Sequence, residues 1–184
     1  MGYVAIGLNN GYEIKYCFSN QWREAMPLWN VYHPVGAFST KDKKELSEKI
    51  TGLYARIPIP KFYVLVLFHA VERDSFYVGG ESHGKFVRLS IDHIARTLPG
   101  PILREFWVRL VDETIAPYVK DRGFDWEISI DETPADLWSL QGELAPPFES
   151  VAEKRWVEEN RASPYTLAEK IPVNLVLGPG LTDR

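Results

Sequence analysis

The sequence predicts an α+β fold built from two strand–helix–strand units, whose four strands form one sheet with both helices on one face. Three observations carry this prediction. The order strand, helix, strand occurs twice, and a Gly-containing link separates the two occurrences. Each helical stretch shows one apolar stripe at helical spacing. The strands are short apolar runs bounded by Pro and Gly, and paired strands of this kind run parallel through a crossover.

Met1 to Ala25 precede the first unit, and Tyr12, Ile14, Tyr16 and Phe18 alternate there after Asn10-Gly11, the pattern of a β-hairpin. Leu28 to His33 reads as the first strand of the unit. Ser39-Thr40 then open a helix, with Asp42 three residues after Ser39 as a capping box allows. Leu46, Ile50, Leu53 and Ile57 give it an apolar stripe, and Pro58 and Pro60 end it. Phe62 to Val71 follows, and its apolar content predicts a buried strand rather than an exposed edge.

Asp74 to Gly84, containing Gly79-Gly80, links the units, and Phe86 to Asp92 opens the second as a strand. Pro101 suits a first helical residue, Ile102, Phe106 and Leu110 predict the buried helix face, and Pro117 and Gly123 close the helix. Trp126 to Ile130 is the last strand. The halves repeat in pattern, without evident residue identity. Beyond Pro134 come Pro146-Pro147, a helical pattern over Glu149 to Asn160, and a Pro- and Gly-punctuated tail. That tail is expected either to wrap a neighbouring surface or partner subunit or to stay loosely ordered.

With 184 residues the chain has one domain's length, and its 45% hydrophobic and 25% charged residues exclude a disordered chain. Lys plus Arg number 21 against 25 Asp plus Glu, a net charge of −4, which argues against nucleic acid as a partner. The longest aromatic and aliphatic run, Phe62 to Phe68, falls short of the ~20 apolar residues of a membrane span. No charged n-region or apolar h-region opens the chain, and Ile6 stands where N-myristoylation wants Ser or Thr. One cysteine, Cys17, can form neither an internal disulfide nor a Cys-based zinc site, so a cytoplasmic location is expected, with no membrane partner. Dinucleotide, Walker, zincin and nucleophile-elbow motifs are absent. His33, His69, His83 and His93 lack metal-ligand spacing. No metal or other cofactor is expected.

What stands out is Met26-Pro27 directly ahead of a strand. Together with Leu28-Trp29-Asn30-Val31-Tyr32, Ile50-Thr51-Gly52-Leu53-Tyr54, Phe62 to Phe68, Val78-Gly79-Gly80 and Glu132-Thr133-Pro134, it resembles the tautomerase superfamily. The similar branch is the cis-3-chloroacrylic acid dehalogenase-like group with its fungal oxalocrotonate tautomerase-like members, and the likeness runs from about Pro27 to Trp156. The resemblance implies two fused β-α-β units in a four-stranded mixed sheet, a homotrimer, a small carboxylate substrate and an N-terminal proline as acid/base. It divides the chain into a leader over 1–26, either a hairpin or a start-site artefact, a tautomerase-like domain over 27–145, and a C-terminal extension with a short helix over 146–184.

The chemistry has a physical basis. A free N-terminal proline is a secondary amine, and an apolar pocket lowers its pKa, so that it can move a proton at a carbon beside a carbonyl. A guanidinium holds the substrate carboxylate and favours charge developing on the enol oxygen. Carried over residue by residue, the catalytic proline falls on Pro27 and the group's helix histidine on Tyr54. Its two arginines fall on His93 and Arg96, its strand tyrosine near Ile128 or Ser129, and its water-activating glutamate on Leu140, beside Gln141. Tautomerisation of a 2-oxo (enol) carboxylate is therefore the expected activity, with Pro27 catalytic and Arg96, His93, Tyr54 and Gln141 binding substrate; hydration or dehalogenation is not expected.

Read without the resemblance, Pro27 starts a strand, Arg96 is a surface charge, His93 is structural, Tyr54 belongs to the core and Gln141 to a loop. Pro27 also follows Met26 in the chain, so its nitrogen there is a tertiary amide with no basic lone pair. Three alternatives stand: translation starts at Met26, the N-terminus is processed, or the leader is genuine and catalysis is lost or altered, and a non-catalytic oligomerising or binding module is the competing reading. A ferredoxin-like dimeric oxygenase shares the same strand–helix rhythm.

Overall fold

The computed structural model describes residues 26–54, 59–94, 98 and 100–171, together with the backbone of 3–7 and 13–17. Strands β1 (Tyr3–Gly7) and β2 (Glu13–Cys17) pair antiparallel, Tyr3 opposite Cys17 and Gly7 opposite Glu13. The Asn10-Gly11 turn lies outside the described residues.

In β3 (Met26–Pro34) every second residue, Pro27, Trp29, Val31 and His33, is buried, while Leu28, Asn30 and Tyr32 are half-buried. A strand alternates its side chains between faces, so this is one dry face and one open face. Helix α1 (Thr40–Tyr54) leads to β4 (Leu65–Val71), which lies parallel to β3. A small hairpin, β5 (Tyr77–Val78) with β6 (Glu81–Ser82), then turns the chain into β7 (Phe86–Ile94), antiparallel to β3. Helix α2 (Pro101–Ile115) leads to β8 (Asp125–Thr133), parallel to β7. The sheet order is therefore β4-β3-β7-β8, two parallel pairs joined by one antiparallel seam, the mixed four-stranded sheet expected. A second small hairpin, β9 (Ser139–Leu140) with β10 (Glu143–Leu144), precedes helix α3 (Val151–Glu159).

Both long helices cover the dry face. α1 buries Leu46, Ile50 and Tyr54 at four-residue intervals, and α2 buries Trp107, Val111 and Ile115 in the same way. The Tyr54 and Trp107 rings meet at 5.5 Å. For α2 this corrects the expected face. Ile102 is 73% exposed, and Phe106 and Leu110 flank the buried stripe one residue away from it. Two adjacent stripes are both apolar, and the larger Trp107 takes the interior.

The second correction concerns β4, an edge strand. Leu65 and Leu67 are 41% and 44% exposed, and among the described residues β4 pairs only with β3. Apolar content reports a need for cover without saying that the same chain supplies it. The expected Ile57 end of α1 lies outside the described residues.

Local bonds set the helix ends. The Ser39 hydroxyl accepts from the Asp42 N–H at 3.1 Å, and the Asp42 carboxylate accepts from the Ser39 N–H at 2.9 Å. Arg122, from the turn after α2, grips the same carboxylate through both terminal nitrogens at 2.6 and 3.1 Å. At α3, the Ser150 hydroxyl accepts from the Glu153 N–H at 3.1 Å. Trp156 is fully buried against Phe62, Tyr63 and Tyr165, and its indole N–H donates to the Ser163 carbonyl at 2.8 Å. The extension through Ser163 thus packs on its own chain.

The Arg122 guanidinium first, and the Ser39 hydroxyl and N–H next, hold the Asp42 carboxyl well below the usual carboxylate range. A carboxyl whose folded pKa is depressed stabilises the fold above its unfolded pKa, near ~3.9, and loses that contribution as pH falls. Asp42→Asn should therefore lower stability by about 1–2 kcal/mol at neutral pH. In urea denaturation the gap between the two proteins should begin to narrow below about pH 4 and keep narrowing as the pH falls toward the depressed folded pKa; a gap constant with pH would contradict the assignment.

Candidate active site

Antiparallel pairing of β3 with β7 puts Pro27 opposite His93, on the dry face that also carries Trp29. Side chains directly opposite in such a pair stand ~4.5–5.5 Å apart at Cβ. Tyr54, the last residue of α1, reaches the same place from above. The Trp29 indole N–H donates to the Tyr54 hydroxyl at 3.1 Å, and that hydroxyl lies 3.1 Å from His93 Nε2. An indole can only donate, so the phenol accepts there and has its own proton available for the imidazole. Trp29, Tyr54 and His93 are all at most 1% exposed. Trp107 closes the cluster, its ring 5.3 Å from that of His93 and 5.5 Å from that of Tyr54.

The place lies at the start of β3, walled by aromatic rings, and among the described residues it holds a phenol and an imidazole. A low local dielectric strengthens each hydrogen bond made there and disfavours a charged amine. Among the described residues no group of three His, Cys, Asp or Glu side chains is arranged to hold a metal ion.

Residues 26–161 match the family model described as "Putative oxalocrotonate tautomerase enzyme". The chain belongs to that family. Among solved structures, RhCC from Rhodococcus jostii RHA1 is 46% identical, with 75% of this chain and 99% of RhCC covered and a TM-score of 0.71. A probable enzyme from the thermophilic fungus Aspergillus fumigatus is 34% identical over 77% of this chain and 99% of its own, with a TM-score of 0.72. N1, of the cis-3-chloroacrylic acid dehalogenase family, is 16% identical over 72% of this chain and 96% of its own, and its TM-score of 0.56 shows a shared fold. Among curated proteins none matches.

Within this tautomerase-family chain, three of the five residues named from sequence converge: Pro27, Tyr54 and His93. Arg96 lies outside the described residues. Gln141 is exposed at the apex of the β9–β10 hairpin with φ 53°, followed by Gly142 at φ 88°. Gly79-Gly80 hold the same left-handed pair at the β5–β6 apex, with φ 61° and 88°. The pattern repeat therefore extends past the β-α-β units to their hairpins, and Gln141 occupies the turn position that glycine takes in the first half.

Sequence reasoning missed Trp29. The signal was present: two residues after Pro27 on an alternating strand, it shares the proline's face, and a buried indole N–H needs an acceptor. His93 is the last residue but one of β7. His33, also buried, stands six residues from Pro27 along β3, roughly 20 Å away. Its Nδ1–H donates to the Pro34 carbonyl at 2.8 Å, and burial lowers its pKa.

Tyr54→Phe should leave the Trp29 N–H in the dry core without its acceptor and remove the hydroxyl from His93. A loss of about 1–3 kcal/mol is expected, measured by urea denaturation; a change under about 0.5 kcal/mol would contradict a central role for the hydroxyl.

Proposed function

We propose that the protein is a tautomerase of a small 2-oxo (enol) carboxylate and that Pro27, once it is the N-terminal residue, is its acid/base. The observation that carries this reading is the meeting of Pro27, Tyr54 and His93 on one buried face of the sheet. In the working form Met26 is absent, by initiation at Met26 and its removal or by processing of the leader, and Pro27 presents a secondary amine. The neutral amine takes a proton from carbon beside the substrate carbonyl and returns it at another position, so the enol and keto forms interconvert. Arg96 is the anchor for the substrate carboxylate, Tyr54 and His93 position the carboxylate and carbonyl, and Gln141 adds a polar contact. Addition of water is not part of this proposal, because Leu140 stands where a base would activate it.

A second reading rests on Met26. In the full chain this residue is buried as the first residue of β3, opposite Ile94, and its amide to Pro27 removes the basic lone pair. In that form the protein is a non-catalytic oligomerising or binding module. Protein beginning at Pro27 should ketonise a simple enol-pyruvate, followed by ultraviolet absorbance, at least ~100-fold faster than the 184-residue chain or a Pro27→Ala variant of the shortened one. Equal rates for the three would overturn the catalytic role and leave the binding-module reading.

We also propose a homotrimer. A fused 4-OT described as a symmetric trimer shares the fold at 17% identity and a TM-score of 0.53. The exposed Leu65 and Leu67 on the β4 edge give subunits an apolar surface to cover. Sedimentation equilibrium should return three times the 21.1 kDa chain mass, and Leu67→Glu should shift it toward one; a wild-type mass of one or two chains would exclude the trimer. No helix among the described residues is long and apolar enough to cross a membrane. With the single Cys17, a cytoplasmic location completes the proposal.

A further inference from the structure

A cavity lies across β7 from Pro27, between α2 and the β8 edge. It has a volume of about 420 Å³ and is lined by Leu98, Arg104, Val108, Ile128, Ile130, Asp131 and Glu132. Small-molecule sites commonly hold ~300–1,000 Å³. Its walls follow from two periodicities: Ile128 and Ile130 alternate on the helix-facing side of β8, and Arg104 and Val108 stand one turn apart on α2. Leu98 is buried beneath them.

Arg104 is held in place yet keeps donors to spare. Its Nε–H donates to the Leu98 carbonyl at 2.9 Å, while the Leu98 N–H donates to Glu132 Oε1 at 2.6 Å. Both polar groups of the Leu98 peptide are thereby tied, and the guanidinium is oriented by a buried residue. Among the described residues its two terminal nitrogens make no hydrogen bond, and no carboxylate pairs with it. That end is the planar fork that fits a carboxylate with two parallel bonds. Asp131 and Glu132 line the same cavity without pairing with Arg104, so they place negative charge beside the fork.

We infer that this cavity binds a monocarboxylate carrying a compact apolar group, the carboxylate on the free end of Arg104 and the apolar group on Leu98, Val108, Ile128 and Ile130. The neighbouring carboxylates set the charge selection. One negative charge is matched by the guanidinium, and a second meets Asp131 and Glu132 as a like charge. The site adjoins the candidate active site, Glu132 standing opposite His93 in the β7–β8 pair, but it needs no free amine, so its occupancy can be read in the full chain.

Calorimetric titration of the full chain with 3-phenylpropionate tests this. Saturable binding of one ligand per chain is expected. Affinity should fall at least about tenfold for Arg104→Gln and for the neutral amide of the ligand, since charge-assisted hydrogen bonds are lost. Phenylsuccinate, with two carboxylates, should bind more weakly than the monocarboxylate, and Asp131→Asn should narrow that difference. Val108→Phe fills the cavity without touching the Leu98 bonds and should abolish binding, which guards against misfolding of the Arg104 variant. Pro27→Ala should leave binding within about twofold. Absence of saturable binding, equal affinity in Arg104→Gln or Val108→Phe, or loss of binding in Pro27→Ala would overturn the assignment.

Discussion

The antiparallel seam between β3 and β7 is the constraint on which the rest depends. Each strand turns one full side of alternating residues inward: Trp29, Val31 and His33 from β3, and Val87, Leu89, Ile91 and His93 from β7. That face cannot remain in water. α1 and α2 cover it with stripes of matching spacing, and burial of apolar surface at ~25 cal/mol per Å² makes this the dominant favourable term. The outer strands β4 and β8 then extend the sheet from each half. Shifting the seam by one residue would turn every one of these side chains to the open face.

The same seam forces the chemistry of the site. Polar atoms carried onto a dry face must find partners within it. Trp29, Tyr54 and His93 come from three elements far apart in sequence and answer one another there, while Pro27 shares their level because its rung is the one opposite His93. A requirement of folding thereby assembles a phenol and an imidazole beside the second residue of β3, Pro27. Across β7, Arg104 shows the complementary case: one nitrogen serves the fold by holding Leu98, and the rest of the group faces a cavity.

Much of the fold was legible in the residues. The doubled strand–helix–strand order, the Ser39–Asp42 cap and the cut at Pro101 all act through neighbours a few positions away, and each stands where periodicity placed it. The α2 face and the β4 edge were misread for a shared reason. Both depend on which of two apolar surfaces meets a partner, and composition scores the two alike. Of the site, Pro27, Tyr54 and His93 were legible through their place in a family pattern, whereas Trp29 needed the strand's alternation to be followed two residues further. Gln141 was named beside a lost base, and the hairpin repeat explains its conformation instead.

The sequence by itself determined the class of fold and the two-unit repeat, because these rest on local spacing, capping and side-chain type. Only the tertiary structure decided that His93 is the cross-strand partner of Pro27, that Trp29 and Tyr54 hydrogen-bond over it, and that Arg104 lines a cavity. Strand register and the packing of α1 and α2 bring together atoms separated by up to 66 positions between Pro27 and His93. Contacts of that range follow from burying one common face, and no local pattern encodes which residues will meet there.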